Sequence, residues 1–397
     1  ARHAPTTVTM PLRKRARKER TAAEADQTRR KNMPLEVVRI AETPHTRIVR
    51  NSAQWRRAAS MNVTVAENDL VLAQSPLLSF GNSGTRRVIV KNPAVIAGLK
   101  DAFSVTAWAV PESTERSYRT LIGKGERDAA FSIRHGRTVS NDNHISVRLY
   151  KEREPHPNAS YGMGYTPDDP QGFDNHWHHY AVTFDGYTLK LFLDGREVGS
   201  GQLKGKVDFS EGNLCFGAHA DSHEPWKGYI EDVAVWAKAL PPDAVGALMH
   251  RRLRGDETGL VGYWPMNEGE GEVVRDKTAN GNHGQIINTA WERRPVRNGW
   301  RLSNPIRFKE DLDLRTCSIS WEAEASDANA GISVLYGMTD NAETLPEEWE
   351  KASNGVDITK TGAAETMAGK CLWLKQVLTS EAPSATPRLS RMILKIE

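Results

Sequence analysis

From Phe103 to Val110 the side chains alternate: Phe103, Val105, Ala107 and Ala109 fall on one face, Ser104, Thr106, Trp108 and Val110 on the other. A period of two marks a strand and cannot be satisfied by a helix. Shorter runs of the same kind recur along the chain. Val71-Leu72, Arg87–Val90, Ile145–Tyr150, Trp177–Phe184 and Leu189–Leu193 are all bounded by turn residues. Short strands at such spacing predict an antiparallel sandwich or jelly roll. Asp194-Gly195 has the composition of a two-residue hairpin turn, where both residues take φ > 0. Only two helices are expected. One starts at Asn92-Pro93, with Asn as cap and Pro in the first turn, and the other runs from Pro242 to Leu253.

A chain of 397 residues exceeds one ordinary core. The composition pattern divides it into a basic N-terminal arm (1–35), an extended connector (36–65), a jelly roll (66–297) and a second, smaller β-sandwich (298–397). The last is read from Ser318–Trp321, Ile332–Tyr336, Cys371–Leu378 and Met392–Ile396. No run of 18 apolar residues is present, so no membrane-spanning helix is expected. Ala1–Met10 lacks the apolar run of a secretory signal peptide. Cys215, Cys317 and Cys371 are too few for a disulfide scaffold, and reduced buried thiols are the expectation, with a Cys317–Cys371 bridge as the alternative.

The net charge of +3 hides an asymmetry. Residues 1–31 carry +7, and the rest of the chain −4. Arg13, Lys14, Arg15, Arg17, Lys18, Arg20, Arg29, Arg30 and Lys31 supply most of that arm. Such an arm suits contact with an anionic partner, either nucleic acid or the acidic face of another subunit in a large assembly.

Two sets of residues stand out as candidate sites. Tyr161, Tyr165 and Phe173 lie in a turn-rich stretch between Tyr150 and Trp177, read as a long loop whose aromatics either stack on sugar rings or pack on a neighbouring subunit. Asp185, Asp194 and Asp276 offer the hard oxygen ligands that calcium takes; the Gly-rich acidic stretch at Glu268, Glu270 and Glu272 reads first as a solvated turn, with calcium binding as the functional alternative. His176, His178 and His179 lack the spacing of a zinc site, since a strand sends His179 away from the other two. No nucleophile elbow, phosphate-binding loop or dinucleotide fingerprint occurs.

Three passages resemble the laminin-G-like, concanavalin-type superfamily. They are Trp177 to Gly186 with Leu189 to Gly195, Gly228 to Trp236 with Ala239-Leu240, and Gly259 to Gly269 continued by Asp276 and Gly281 to Gly284. The resemblance spans about residues 66–297 and implies a jelly roll, with His179 as a packing residue of its hairpin. The C-terminal hundred residues resemble, more loosely, β-sandwich modules of phage proteins, through Gly369 to Leu374 and Thr386 to Leu389. Glycosidases of this superfamily need acids at i, i+2 and i+4 on one strand. Here Glu231 and Asp232 are adjacent, and strand alternation puts them on opposite faces. The chain is therefore expected to be non-enzymatic. The leading expectation is a virion structural protein of a bacteriophage: an oligomeric capsid decoration, fibre or tail component, anchored by residues 1–35. The alternative is a carbohydrate-binding adhesin, assisted by calcium, at a bacterial surface.

Overall fold

The computed structural model describes residues 36–37, 60–66, 69–81, 85–112, 118–125, 131–138, 141–150, 160–167, 175–203, 207, 212–249, 251–310, 316–361 and 367–396. The basic arm and Phe173 lie outside the described residues. The chain is mainly β, and two compact units account for it. One comprises Gln74–Arg297 with Glu381–Ser384, and the other comprises Ala1–Ala73, Asn298–Ser380 and Ala385–Glu397. No helix among the described residues is long and apolar enough to cross a membrane.

The first unit is a sandwich of two antiparallel sheets, with strands numbered in chain order. One sheet runs β14 (Arg196–Gln202), β13 (Thr188–Leu193), β12 (His178–Phe184), β7 (Phe103–Pro111), β16 (Gly228–Trp236), β5 (Gln74–Phe80), β20 (Ala290–Pro295), with β17 (Leu260–Trp264) also pairing β16. The other runs β11 (Ser160–Tyr165), β10 (Asn141–Tyr150), β9 (Phe131–Thr138), β8 (Arg119–Lys124), β15 (Leu214–Phe216), β6 (Arg87–Val90), β19 (Gly284–Ile287), β18 (Val273–Val274). The expected alternation on β7 holds. Phe103, Val105, Ala107 and Ala109 enter the core between the sheets, where Phe103 meets Phe131 edge-on and Phe184 at a tilt. The hairpin turn is present too, with φ of 49° at Asp194 and 76° at Gly195 joining β13 to β14.

The outer face of the β7 sheet is also partly covered. Helix α2 (Pro242–Leu248) lays Val245 and Leu248 on Ala181, Phe192, Ala234 and Trp236. It is shorter than the sequence suggests, ending five residues before Leu253. Helix α1 (Ala94–Ala97) has Pro93, not Asn92, at its N-cap and so no side-chain cap; the Asn92 side-chain Oδ1 accepts a hydrogen bond from the buried Lys124 ammonium at 2.9 Å.

The second unit holds two further sheets. One runs β1 (Glu36–Val37), β27 (Pro387–Ile396), β4 (Asp69–Leu72), β3 (Val63–Ala66), with β23 (Cys317–Ala325) also on β27; β1 is parallel to β27. The other runs β2 (Ser60–Met61), β21 (Asn298–Leu302), β26 (Cys371–Ser380), β24 (Ala330–Thr339), β25 (Glu350–Lys351), with β22 (Ile306–Arg307) on β26. Residues 60–73 thus belong with the C-terminal strands, whereas the sequence reading divided them between connector and jelly roll. The pairing of β4 with β27 spans more than 300 residues and leaves no local signal. Cys215, Cys317 and Cys371 are all buried free thiols, and Cys317 and Cys371 form no bridge.

Candidate functional site

The strand that was to separate Glu231 from Asp232 does not do so. Against β7, the register of β16 slips between Glu231 and Ala234, and Asp232 takes φ of 52°. This is a β-bulge: one extra residue sits opposite the partner strand and resets the alternation. Ile230 and Val233 both enter the core, and Glu231 and Asp232 are left together on the outer face. The αL conformation is one that Asp tolerates better than most residues with a side chain.

Two guanidinium groups and a phenol close around the pair. Arg297 sends Nε to Glu231 Oε1 at 2.8 Å and Nη2 to Asp232 Oδ2 at 2.9 Å. Arg252 places Nη2 3.4 Å from Glu231 Oε2 and Nε 3.7 Å from Asp232 Oδ2. The Tyr263 hydroxyl donates to Asp232 Oδ1 at 2.7 Å. All four carboxylate oxygens are occupied. Burial raises the Glu231 pKa, and Arg297 offsets part of that rise. Burial would lower Arg252, but Asp232 and Glu231 outweigh it and hold the guanidinium above its ordinary value. Tyr263 is raised by burial and then by Asp232. The two arginines balance the two carboxylates.

Aromatic rings wall this cluster. The Arg297 guanidinium lies 3.8 Å from the Trp108 ring centre and 5.6 Å from that of Trp177. His179 packs 5.3 Å from Trp108 and is neutral, its pKa lowered to about 4 by burial and then by Arg297. His179 Nδ1 and Arg297 Nη1 are buried without a hydrogen-bond partner. Thr106, Trp108, His179, Asp232, Arg252 and Tyr263 line a depression beside α2, open on one side. It encloses ≈ 20 Å³, enough for one water-sized group, so it admits the edge of a ligand and not a whole ring.

A family comparison bears on the same unit. Residues 82–246 match the family described as the Concanavalin A-like lectin/glucanases superfamily. This sandwich is a concanavalin A-like domain. Human Pappalysin-1 is 23% identical over 220 residues, covering 49% of this chain and 13% of that protein, so the chain spans about an eighth of that relative. Among solved structures, a candidate carbohydrate binding protein from Bacteroides ovatus is 16% identical, covering 56% of this chain and 60% of its own, with a TM-score of 0.41. The pentraxin of Limulus polyphemus is 13% identical, covering 54% and 96% respectively, with a TM-score of 0.35.

Within the concanavalin A-like domain, the residues singled out from sequence do not converge. Ser160–Tyr165 is a strand and not part of a loop, paired with β10 over six residues. Gly162 and Gly164 weaken its strand signal, which is why it reads as a loop. Tyr161 lies on that strand; Tyr165 is half-buried and packs on the core, so it is not a free stacking ring. Asp185 and Asp194 sit at opposite ends of β13. Asp185 accepts from the backbone of Tyr187 and Thr188, and those bonds hold its carboxyl low. Asp194 accepts from the His179 backbone and from His178 Nδ1, each at 2.8 Å. Asp276 is 5% exposed and accepts from the backbones of Tyr263, Thr278 and Asn282 and from the Thr278 hydroxyl. All three carboxylates order turns. Among the described residues no three His, Cys, Asp or Glu side chains group as metal ligands do.

Proposed function

We propose that this protein is a non-catalytic glycan-binding protein, and that the depression over Glu231 and Asp232 reads the edge of a neutral saccharide. The observation that carries this reading is the meeting of Thr106, Arg252 and Asp232 with the rings of Trp108, His179 and Tyr263 in one shallow, charge-balanced hollow. Sugars present hydroxyls in fixed directions around an apolar ring face, and such sites pair a few placed polar groups with aromatic surface. Glu231 and Asp232 are matched by Arg252 and Arg297, and Arg251, which also lines the hollow, lies 4.0 Å from Glu257, so neither an anionic nor a cationic ligand gains a net advantage. The lectin half of the family description supports the same class.

A hydrolase is disfavoured at this place. Glycoside cleavage needs one carboxyl free to give a proton and a second free to act as base or nucleophile. Here both are committed to the same arginine. The arm-anchored virion component expected from sequence rests on residues outside the described set, and the site geometry favours glycan recognition over it.

The test is binding of the full chain to a panel of neutral oligosaccharides by calorimetry. Arg252, with 41% of its side chain exposed, is the residue to change. Arg252→Ala is expected to weaken the best ligand about tenfold, the loss of one charge-assisted hydrogen bond. Unaltered affinity in that variant, or no binding across the panel, removes the reading.

A further inference from the structure

The second unit carries a different arrangement. On β26, Leu372, Leu374 and Leu378 are fully buried, while Lys375 and Val377, on the opposite face of the strand, are half-buried. Lys375 pairs in register with Leu302 of β21 and Leu335 of β24. Its ammonium lies 5.4 Å from the centre of the Trp300 ring, on β21, and 5.7 Å from that of Trp349, just before β25. Both indoles are half-buried. Among the described residues, no ion pair or hydrogen bond engages this ammonium.

A lysine usually escapes into water or pairs with an acid, because its ammonium is compact and strongly hydrated. Held between two rings within cation–π range, this one is fixed in place with its three donors uncommitted. Indole faces suit the apolar face of a pyranose ring, and a fixed ammonium suits one carboxylate. Exposed Glu347, Glu348 and Glu350 flank Trp349, and they repel a ligand of high negative charge density. A nucleic acid or a polysulfated chain is thereby disfavoured against a sugar with a single negative charge.

We propose that Trp300, Lys375 and Trp349 form a second saccharide site, selective for a sugar bearing one carboxylate, such as a uronic acid. It is separate from the neutral-sugar depression in the concanavalin A-like domain and does not depend on it. The two sites differ in what they ask of a ligand: in the first each carboxylate is already paired with a guanidinium, and the second offers an ammonium with no ion-pair partner among the described residues.

The test titrates the full chain with methyl glucuronide and with methyl glucoside, which differ only at the carboxylate. The readouts are calorimetry and the indole N–H signals of Trp300 and Trp349, assigned by Trp→Leu variants. The glucuronide is expected to shift both indole signals and to bind at least about tenfold more tightly than the glucoside, with the preference shrinking as salt rises. Lys375→Gln is expected to erase the preference at an unchanged melting temperature, and Arg252→Ala to leave it intact. The proposal is overturned by equal affinity for the two sugars, by no response to the glucuronide, or by a preference that survives in Lys375→Gln. Tighter binding of a single-stranded oligonucleotide at the same indoles also overturns it. Because Arg252→Ala reports on the other site, failure of either proposal is read without reference to the other.

Discussion

Replacing Arg297 by Ala leaves the Glu231 carboxylate, with 4% of its side chain exposed, with only the 3.4 Å contact to Arg252. Breaking a buried pair by removing one partner costs about 3–5 kcal/mol, since the remaining charge is neither solvated nor matched. Urea unfolding of Arg297→Ala is expected to show a loss of about 3 kcal/mol, and a loss below about 1 kcal/mol would mean that Arg252 alone carries the carboxylates. His179 has the opposite relation to charge. Its folded pKa of about 4 lies below the ordinary 6.5, so the unfolded chain binds the proton first. Its contribution is complete above pH 6.5 and drains away as pH falls from 6.5 to about 4. The size is on the order of 3 kcal/mol across that window. His135, buried and also depressed, works in the same direction, so the informative quantity is the difference between the wild type and His179→Gln. The variant is expected to lose less stability over the window, and parallel pH profiles would show that His179 does not titrate there.

Elements, not single residues, decide what the sequence discloses. The alternation of Phe103 to Val110, the Asp194-Gly195 turn and the strands around Arg87, Ile145, Leu189, Ile332 and Cys371 were legible because each is a local pattern of period two or a turn with a fixed φ demand. The bulge in β16 was not legible. Nothing in Gly228–Trp236 marks the slip, and counting by two through Asp232 inverts the face of every later side chain. The three partners of the acid pair, and the ring that backs one of them, were equally hidden. Arg252 follows a helix, Arg297 follows β20, and Tyr263 and Trp108 sit on two other strands, so only the folded sheet collects them. Close approach of β16 to β7 also sets a demand at Gly228. Its φ is 123°, and a Cβ there would meet the Val110 carbonyl oxygen at 1.9 Å. Gly228→Ala is expected to cost at least about 2 kcal/mol, seen as a lower urea midpoint at an unchanged slope.

For the whole molecule, chain order and unit membership disagree. Gln74–Arg297 is inserted into a unit whose strands come from both sides of it. Leu70 and Leu72, 2% and 3% exposed, belong to the same sheet as β27. A fragment of residues 298–397 lacks them and is expected to show no cooperative thermal transition by circular dichroism, whereas residues 74–297 keep their two sheets and are expected to melt cooperatively. A sharp transition in the C-terminal fragment would show that β3 and β4 are dispensable.

Within the inserted unit, its first strand β5 and its last strand β20 are hydrogen-bonded neighbours, with Gln74 opposite Pro295. The entry and exit of the insert are therefore about 5 Å apart, the spacing of adjacent strands. For heredity, that makes the concanavalin A-like domain a cassette. A gene can gain, lose or exchange it at one locus, and a linker of two or three residues then closes the gap in the host.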